Sequence, residues 1–181
     1  MLRFLESVDK RIYELVDGTL VEKAMGMRES LLAAFIIQQL RNHIQSTDLG
    51  LVSGADGPYR MLHGNVRYPD VGYIPWESIE GDELPDEKIW SITPALAVEV
   101  MSESNTEAEI QRKMGELFAR GCQLIWVIDP PTRTARAFTS PKKVKVVEPS
   151  GDLDGGKVLP GFRLPLASVF ASLQRRKRKT R

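Results

Sequence analysis

Cysteine occurs once in 181 residues, at Cys122, and histidine twice, at His43 and His63. A lone cysteine forms no intrachain disulfide, which excludes a disulfide scaffold and suits a reducing compartment. One cysteine and two histidines also leave no ligand set for a structural zinc. Apolar runs are short. The longest, Leu31 to Ile37, falls far below the about 20 residues that cross a bilayer. The opening stretch, MLRFLESVDKR, carries charge throughout and has no signal-peptide core. These absences predict a cytoplasmic protein with no membrane partner. No G-x-G-x-x-G and no P-loop occurs, so no glycine loop is written to cradle phosphate. Ser102, in EVMSES, lacks the G-x-S-x-G elbow of a hydrolase nucleophile.

What is present is ordinary in amount and uneven in placement. Apolar residues make up 42% and charged residues 27%, the balance of a folded domain with its own core. The formal net charge is +1, from 25 basic and 24 acidic residues, yet six of the basic ones fall between Arg175 and Arg181. The remainder is therefore acidic. The expected organisation is one domain over residues 1–173 and a basic, disordered tail over 174–181. Such a tail is drawn to polyanions or simply keeps the chain soluble.

The pattern along the chain predicts a mixed α/β (α+β) fold. Residues 11–24 read as a hairpin: RIYELV and TLVEKA flank Asp17-Gly18, a dipeptide favoured in tight primed turns. Residues 27–48 read as a helix, with Leu31, Leu32, Phe35, Ile36, Leu40 and Ile44 at three- and four-residue spacing. Short strands follow in LGLVSG, PYRML and DVGYIP, and residues 76–93 read as a loop. ALAVEVM, an amphipathic helix over 105–120 closed by Gly121, and QLIWVID together read as a βαβ unit with parallel strands. A second hairpin is expected over 133–148, and LPGFRLPLASVF supplies a closing strand and helical turn. The whole is a central mixed sheet flanked by helices, with an N-terminal hairpin and added C-terminal strands.

Glu99 is the residue that chemistry best explains. Its neighbours Ala97, Val98, Val100 and Met101 are all apolar, and an ionised carboxylate in a dry interior costs several kcal/mol unless paired or bound to metal. A strand-end position facing solvent or an arginine is the plain alternative. Asp70 opens the strand DVGYIP, where a Pro-Asp turn would also account for it. Two carboxylates brought together repel, and both stay ionised only beside a cation; an all-oxygen set suits Mg²⁺ or Mn²⁺. Lys113 borders the buried stripe Ile110, Met114, Leu117 and Phe118, from where it either reaches the sheet or pairs with Glu109. Glu14 shares a strand face with Ile12, or else is a solvated edge carboxylate. His43 and His63 read as surface histidines, and Cys122 as buried filler.

In order along the chain, YELVDGTLVE, RYPDV, ALAVEVMS, RKMGELFARG, LIWVIDP and LPGFRLPL-x-x-x-F resemble the Uma-type family of endonucleases, a branch of the PD-(D/E)XK, restriction-endonuclease-like superfamily. The resemblance runs from about Tyr13 to Phe170. It implies a core of four mixed strands, and a metal site from Asp70 and Glu99 with the Val100 carbonyl. Glu14 would be the acidic residue contributed ahead of the core. The superfamily's plain pattern has a lysine two residues after the glutamate, where this chain has Met101; the family's helix lysine maps to Lys113. Relatives often carry a histidine at the start of the first helix, where this chain has Met27 and Arg28.

The function expected on this basis is Mg²⁺- or Mn²⁺-dependent phosphodiester hydrolysis on nucleic acid, most simply as a DNA endonuclease. Glu14, Asp70, Glu99 and Lys113 would be its catalytic residues. Two rivals stand beside it: a nucleic-acid-binding or protein-interaction module of the same fold without catalysis, and a metal-free hydrolase using Asp70 and Glu99 as an acid/base pair. Homodimerisation stays open.

Overall fold

The computed structural model describes residues 11–81 and 83–174, so the basic tail lies outside the described residues. A hairpin comes first, β1 (Tyr13–Val16) and β2 (Thr19–Glu22). Asp17 and Gly18 turn it with φ of 48° and 78°. Two successive left-handed residues make a primed turn, whose twist matches the paired strands, and glycine enters that region without a Cβ penalty.

Helix α1 (Met27–Gln45) buries Leu32, Ala33, Ile36, Leu40 and Ile44 along one stripe. It ends short of the expected residue 48. The hydroxyls of Ser46 and Thr47 bond back to the His43 carbonyl, and Asp48 turns the chain with φ 46°. β3 (Gly50–Ser53), β4 (Tyr59–Arg60), β5 (Val66–Arg67) and β6 (Val71–Pro75) follow. β5 has two residues, too few to show alternation in the sequence.

β7 (Leu96–Val100), α2 (Glu107–Ala119) and β8 (Leu124–Asp129) form the expected βαβ unit, with β7 and β8 parallel. Thr106 starts α2 with a reciprocal capping box to Glu109, and Gly121 leaves it at φ 100°. β9 (Thr134–Ser140) and β10 (Lys143–Val147) make the second hairpin. β11 (Asp152–Asp154) pairs with β12 (Arg163–Pro165), and α3 (Leu166–Ala171) closes the fold.

The central sheet has six strands in the order β10-β9-β8-β7-β6-β3, two more than the four-stranded core expected. Only its β7–β8 pair is parallel. A second, antiparallel sheet runs β2-β1-β5-β4. Alternation along β7 sorts the core into two layers. Leu96, Val98 and Val100 face α1 and α3, with Trp126 and Ile128 of β8. Ala97 faces α2, with Ile125 and Val127 of β8 against Ile110, Met114 and Leu117. The fold is thus mixed α+β around a central mixed sheet. Among the described residues no helix is long and apolar enough to cross a membrane. Cys122 is buried, as expected of filler, and burial lifts its thiol to about 12.

Candidate active site

Strand alternation gives Glu99 the same side of β7 as Ala97, the side on which α2 packs. Lys113 lies three residues after Ile110 and four before Leu117 on α2, within the stripe that faces that side. Helix and strand therefore bring the two together. The Lys113 ammonium donates to Glu99 Oε2 at 2.9 Å and to the Tyr68 carbonyl at 2.9 Å, and pairs with Glu14 Oε1 at 2.9 Å. Glu99 Oε1 is also 2.9 Å from that ammonium but outside hydrogen-bond geometry, so this buried oxygen has no hydrogen bond.

The β6–β7 register pairs Val71 with Val98 and Gly72 with Ala97, which continues to set Asp70 opposite Glu99. Asp70 donates its N–H to the Val98 carbonyl, and its Oδ2 accepts the Val100 N–H at 2.7 Å. Its Oδ1 is held at 2.7 Å by the ammonium of Lys23. Glu14 arrives from the second sheet, where Leu15 pairs with Val66. Its Oε1 accepts the Tyr68 N–H at 3.0 Å, and its Oε2 accepts from Arg67 at 2.8 Å. Arg67 in turn reaches both oxygens of Glu116.

Glu14, Asp70, Val100, Glu99 and Lys113 thus line one cavity of about 190 Å³, together with Lys23 and Arg67. All four predicted side chains are buried. Glu99 is not at a solvent-facing strand end, Asp70 is not a surface turn residue, and Glu14 is not a solvated edge carboxylate. Nor does Lys113 pair with Glu109, which is committed to the Thr106 cap. His43 reaches the Pro160 carbonyl and His63 is exposed, both away from the cavity. Met101, at the superfamily's lysine position, is half-buried, with its sulfur 3.6 Å from Arg136. Met27, in place of the relatives' histidine, is largely exposed at the first turn of α1.

Three residues of the cluster escaped the sequence reading: Lys23, Arg67 and Glu116. Arg67 stands in RYPDV, three residues before Asp70, and Glu116 follows Lys113 by three on the same helix face. Lys23 directly follows the hairpin strand β2, and its sequence neighbours give no sign of burial.

The electrostatics are uneven. Burial raises the Glu14 carboxyl, but the Lys113 charge and the bonds from Lys113, Tyr68 and Arg67 outweigh it and bring the group down to about 2. Burial also raises Glu99, and here it wins. Lys113 offsets only part of it and Asp70 adds repulsion, leaving the carboxyl at about 7. Lys113 answers two carboxylates at once. Burial alone would lower it, yet Glu99, Glu14 and Asp70 hold its ammonium charged well above the ordinary lysine range. Among the described residues, no three carboxylates, histidines or cysteines converge in a ready-made metal cage. Ammonium groups stand among the acids instead.

A buried cluster of acids and lysines, where the crossover helix of a βαβ unit meets the mixed sheet, is the site this fold presents. The chain belongs to the Uma2 family, described as "Putative restriction endonuclease", whose model matches residues 3–167. Its fold is similar to that of a solved structure from Anabaena variabilis ATCC 29413, described as "a putative nuclease belonging to DUF820". The two superpose with a TM-score of 0.82 at 17% sequence identity, over 94% of this chain and 97% of that one. No curated protein matches the chain.

Proposed function

We propose that the cleft hydrolyses phosphodiester bonds of nucleic acid, DNA in the first place, using Mg²⁺ or Mn²⁺. Asp70 and Glu99 would hold the ion, with the Val100 carbonyl beside them and Glu14 as the further acidic residue. One observation carries this reading: Asp70, immediately before β6, lies opposite Glu99 of β7, and a buried oxygen of Glu99 has no hydrogen bond. A carboxylate lifted to about 7 beside its own lysine still lacks positive charge, which suits an all-oxygen donor set for a hard cation. Family membership and the likeness to a nuclease fold favour the same reaction class.

Bound there, the ion would polarise the scissile phosphate and make an attacking water more acidic. The chain's own residues do the rest. Asp70 is aimed by the Val100 N–H, and Glu14 by Tyr68 and Arg67, so the acids are oriented toward the cleft before any ion arrives. Lys113 stays protonated, so it is a poor proton acceptor. Its role is to offset negative charge that builds on the phosphate.

The test is cleavage of supercoiled plasmid with Mg²⁺ or Mn²⁺ by wild type, Asp70→Asn and Glu99→Gln. The expected result is cutting by wild type alone, abolished by EDTA. Cutting that survives EDTA would overturn the metal reading in favour of an acid/base pair. DNA binding without cutting under any divalent ion would leave a binding module of the same fold.

A further inference from the structure

The mechanism leaves one buried charge of the cleft unused. Lys23 follows β2, whose four residues are all exposed, yet its own side chain is only 9% exposed. Its ammonium lies 2.7 Å from Asp70 Oδ1 and donates to the carbonyls of Tyr68 at 2.6 Å and Ala55 at 3.3 Å. With the Val100 N–H on Oδ2, it completes the partners of Asp70.

The Tyr68 carbonyl also accepts from Lys113. Two ammonium groups therefore share one oxygen and are close neighbours, an arrangement tolerated only because Glu14, Asp70 and Glu99 surround them. A third cation entering between Asp70 and Glu99 would meet both lysines. They are not equally able to leave. Lys113 is held on the buried stripe of a capped helix. Lys23, as buried as Lys113, lines the same cavity but hangs from the end of an exposed hairpin strand.

We propose that Lys23 is a tethered counter-cation of Asp70: it holds the carboxylate in the metal-free protein and must be displaced when a divalent ion binds. This rests on the metal reading of the cleft. It makes Lys23 a positioning residue that keeps the Asp70 side chain in place without metal and weakens metal binding in return. The displaced ammonium stays tethered beside the cleft, where it can meet a phosphate oxygen of the substrate.

The experiment is calorimetric titration of MnCl₂ into the metal-free full chain, for wild type, Lys23→Met and Lys23→Arg. The expected result is at least tenfold tighter Mn²⁺ binding by Lys23→Met, with Lys23→Arg within threefold of wild type. Equal affinity in wild type and Lys23→Met overturns the proposal and leaves the metal reading standing. Mn²⁺ binding by Lys23→Met alone supports both. Binding by neither overturns the metal reading, and this proposal with it. Should Lys23→Met fail to fold, reductive methylation of wild type, read at Lys23 by mass spectrometry, decides. Mn²⁺ should speed labelling of Lys23 severalfold, and unchanged labelling in protein shown to bind the ion overturns the displacement.

Discussion

Lys113 is held by charge on two sides and cannot be removed quietly. Its loss leaves Glu14 and Glu99 buried without the ammonium they share. Deleting one partner of a buried ion pair costs about 3–5 kcal/mol. Lys113→Met should therefore lower the melting temperature of the metal-free protein, and lower single-turnover cleavage by on the order of 10²-fold or more, about 2.7 kcal/mol at the transition state. Wild-type cleavage by this variant would make Lys113 structural only. Glu99 makes a prediction in pH. Its carboxyl titrates near 7 in the fold, against an ordinary value of 4.5. The folded state then holds the proton more tightly than the unfolded chain, so its contribution is fully present below about 4.5 and lost as pH rises through about 7. Glu14, brought down to about 2, works the other way, and its contribution is lost only as pH falls through about 2. Between pH 4.5 and 7.5, without metal, the melting temperature of wild type should fall relative to that of Glu99→Gln. Parallel curves for the two proteins would refute the shifted Glu99.

Single elements carry the cluster to one place. Glu14 and Lys23 both depend on the β1–β2 hairpin, Asp70 and Glu99 on the β6–β7 register, and Lys113 on α2. A slip of one residue in β7 would turn Glu99 to the α1 layer, away from Lys113. Helix α2 is fixed at its start by the Thr106–Glu109 capping box. Replacing such a cap typically costs about 1 kcal/mol. Thr106→Ala should lower unfolding free energy by about that amount in urea titration, with the denaturant slope unchanged. Cleavage well below the melting temperature should stay within twofold of wild type, because Thr106 touches none of Glu14, Asp70 and Glu99. A larger loss of activity would mean that the position of α2, and not only its stability, depends on this cap.

At the scale of the molecule, the cleft lies between two sheets. The N-terminal sheet supplies Glu14 and Arg67, and the central sheet supplies Glu99. An ion held between them would tie the sheets together only in the native state. Binding at a hundredfold excess over Kd adds about 2.7 kcal/mol to stability. Millimolar Mn²⁺ should therefore raise the melting temperature of wild type by several degrees and leave that of Asp70→Asn unmoved. An equal shift in both proteins would place the ion elsewhere.

Much of this was local and therefore legible in the residues. Asp17-Gly18 specifies a primed turn, the apolar runs around Glu99 and in LIWVID specify covered strands, and the period of α2 sets Lys113 at the border of the buried stripe, with the choice between the sheet and Glu109 left to the fold. Glu99 stood out because a charge inside an apolar strand conflicts with its own neighbours. Glu14 stayed ambiguous because alternation in a four-residue strand does not say which face is covered, and only the crossing of β1 with β5 decided it. Lys23, Arg67 and Glu116 had no comparable conflict. A charged residue among polar neighbours reads the same whether it is solvated or folded inward, and these three are drawn in by partners 47, 53 and 49 residues away. The chain's local chemistry determined the strands, the turn and the suspicious glutamate. Which cations answer its acids was decided only by tertiary structure, because that pairing depends on register and sheet packing between segments remote in sequence.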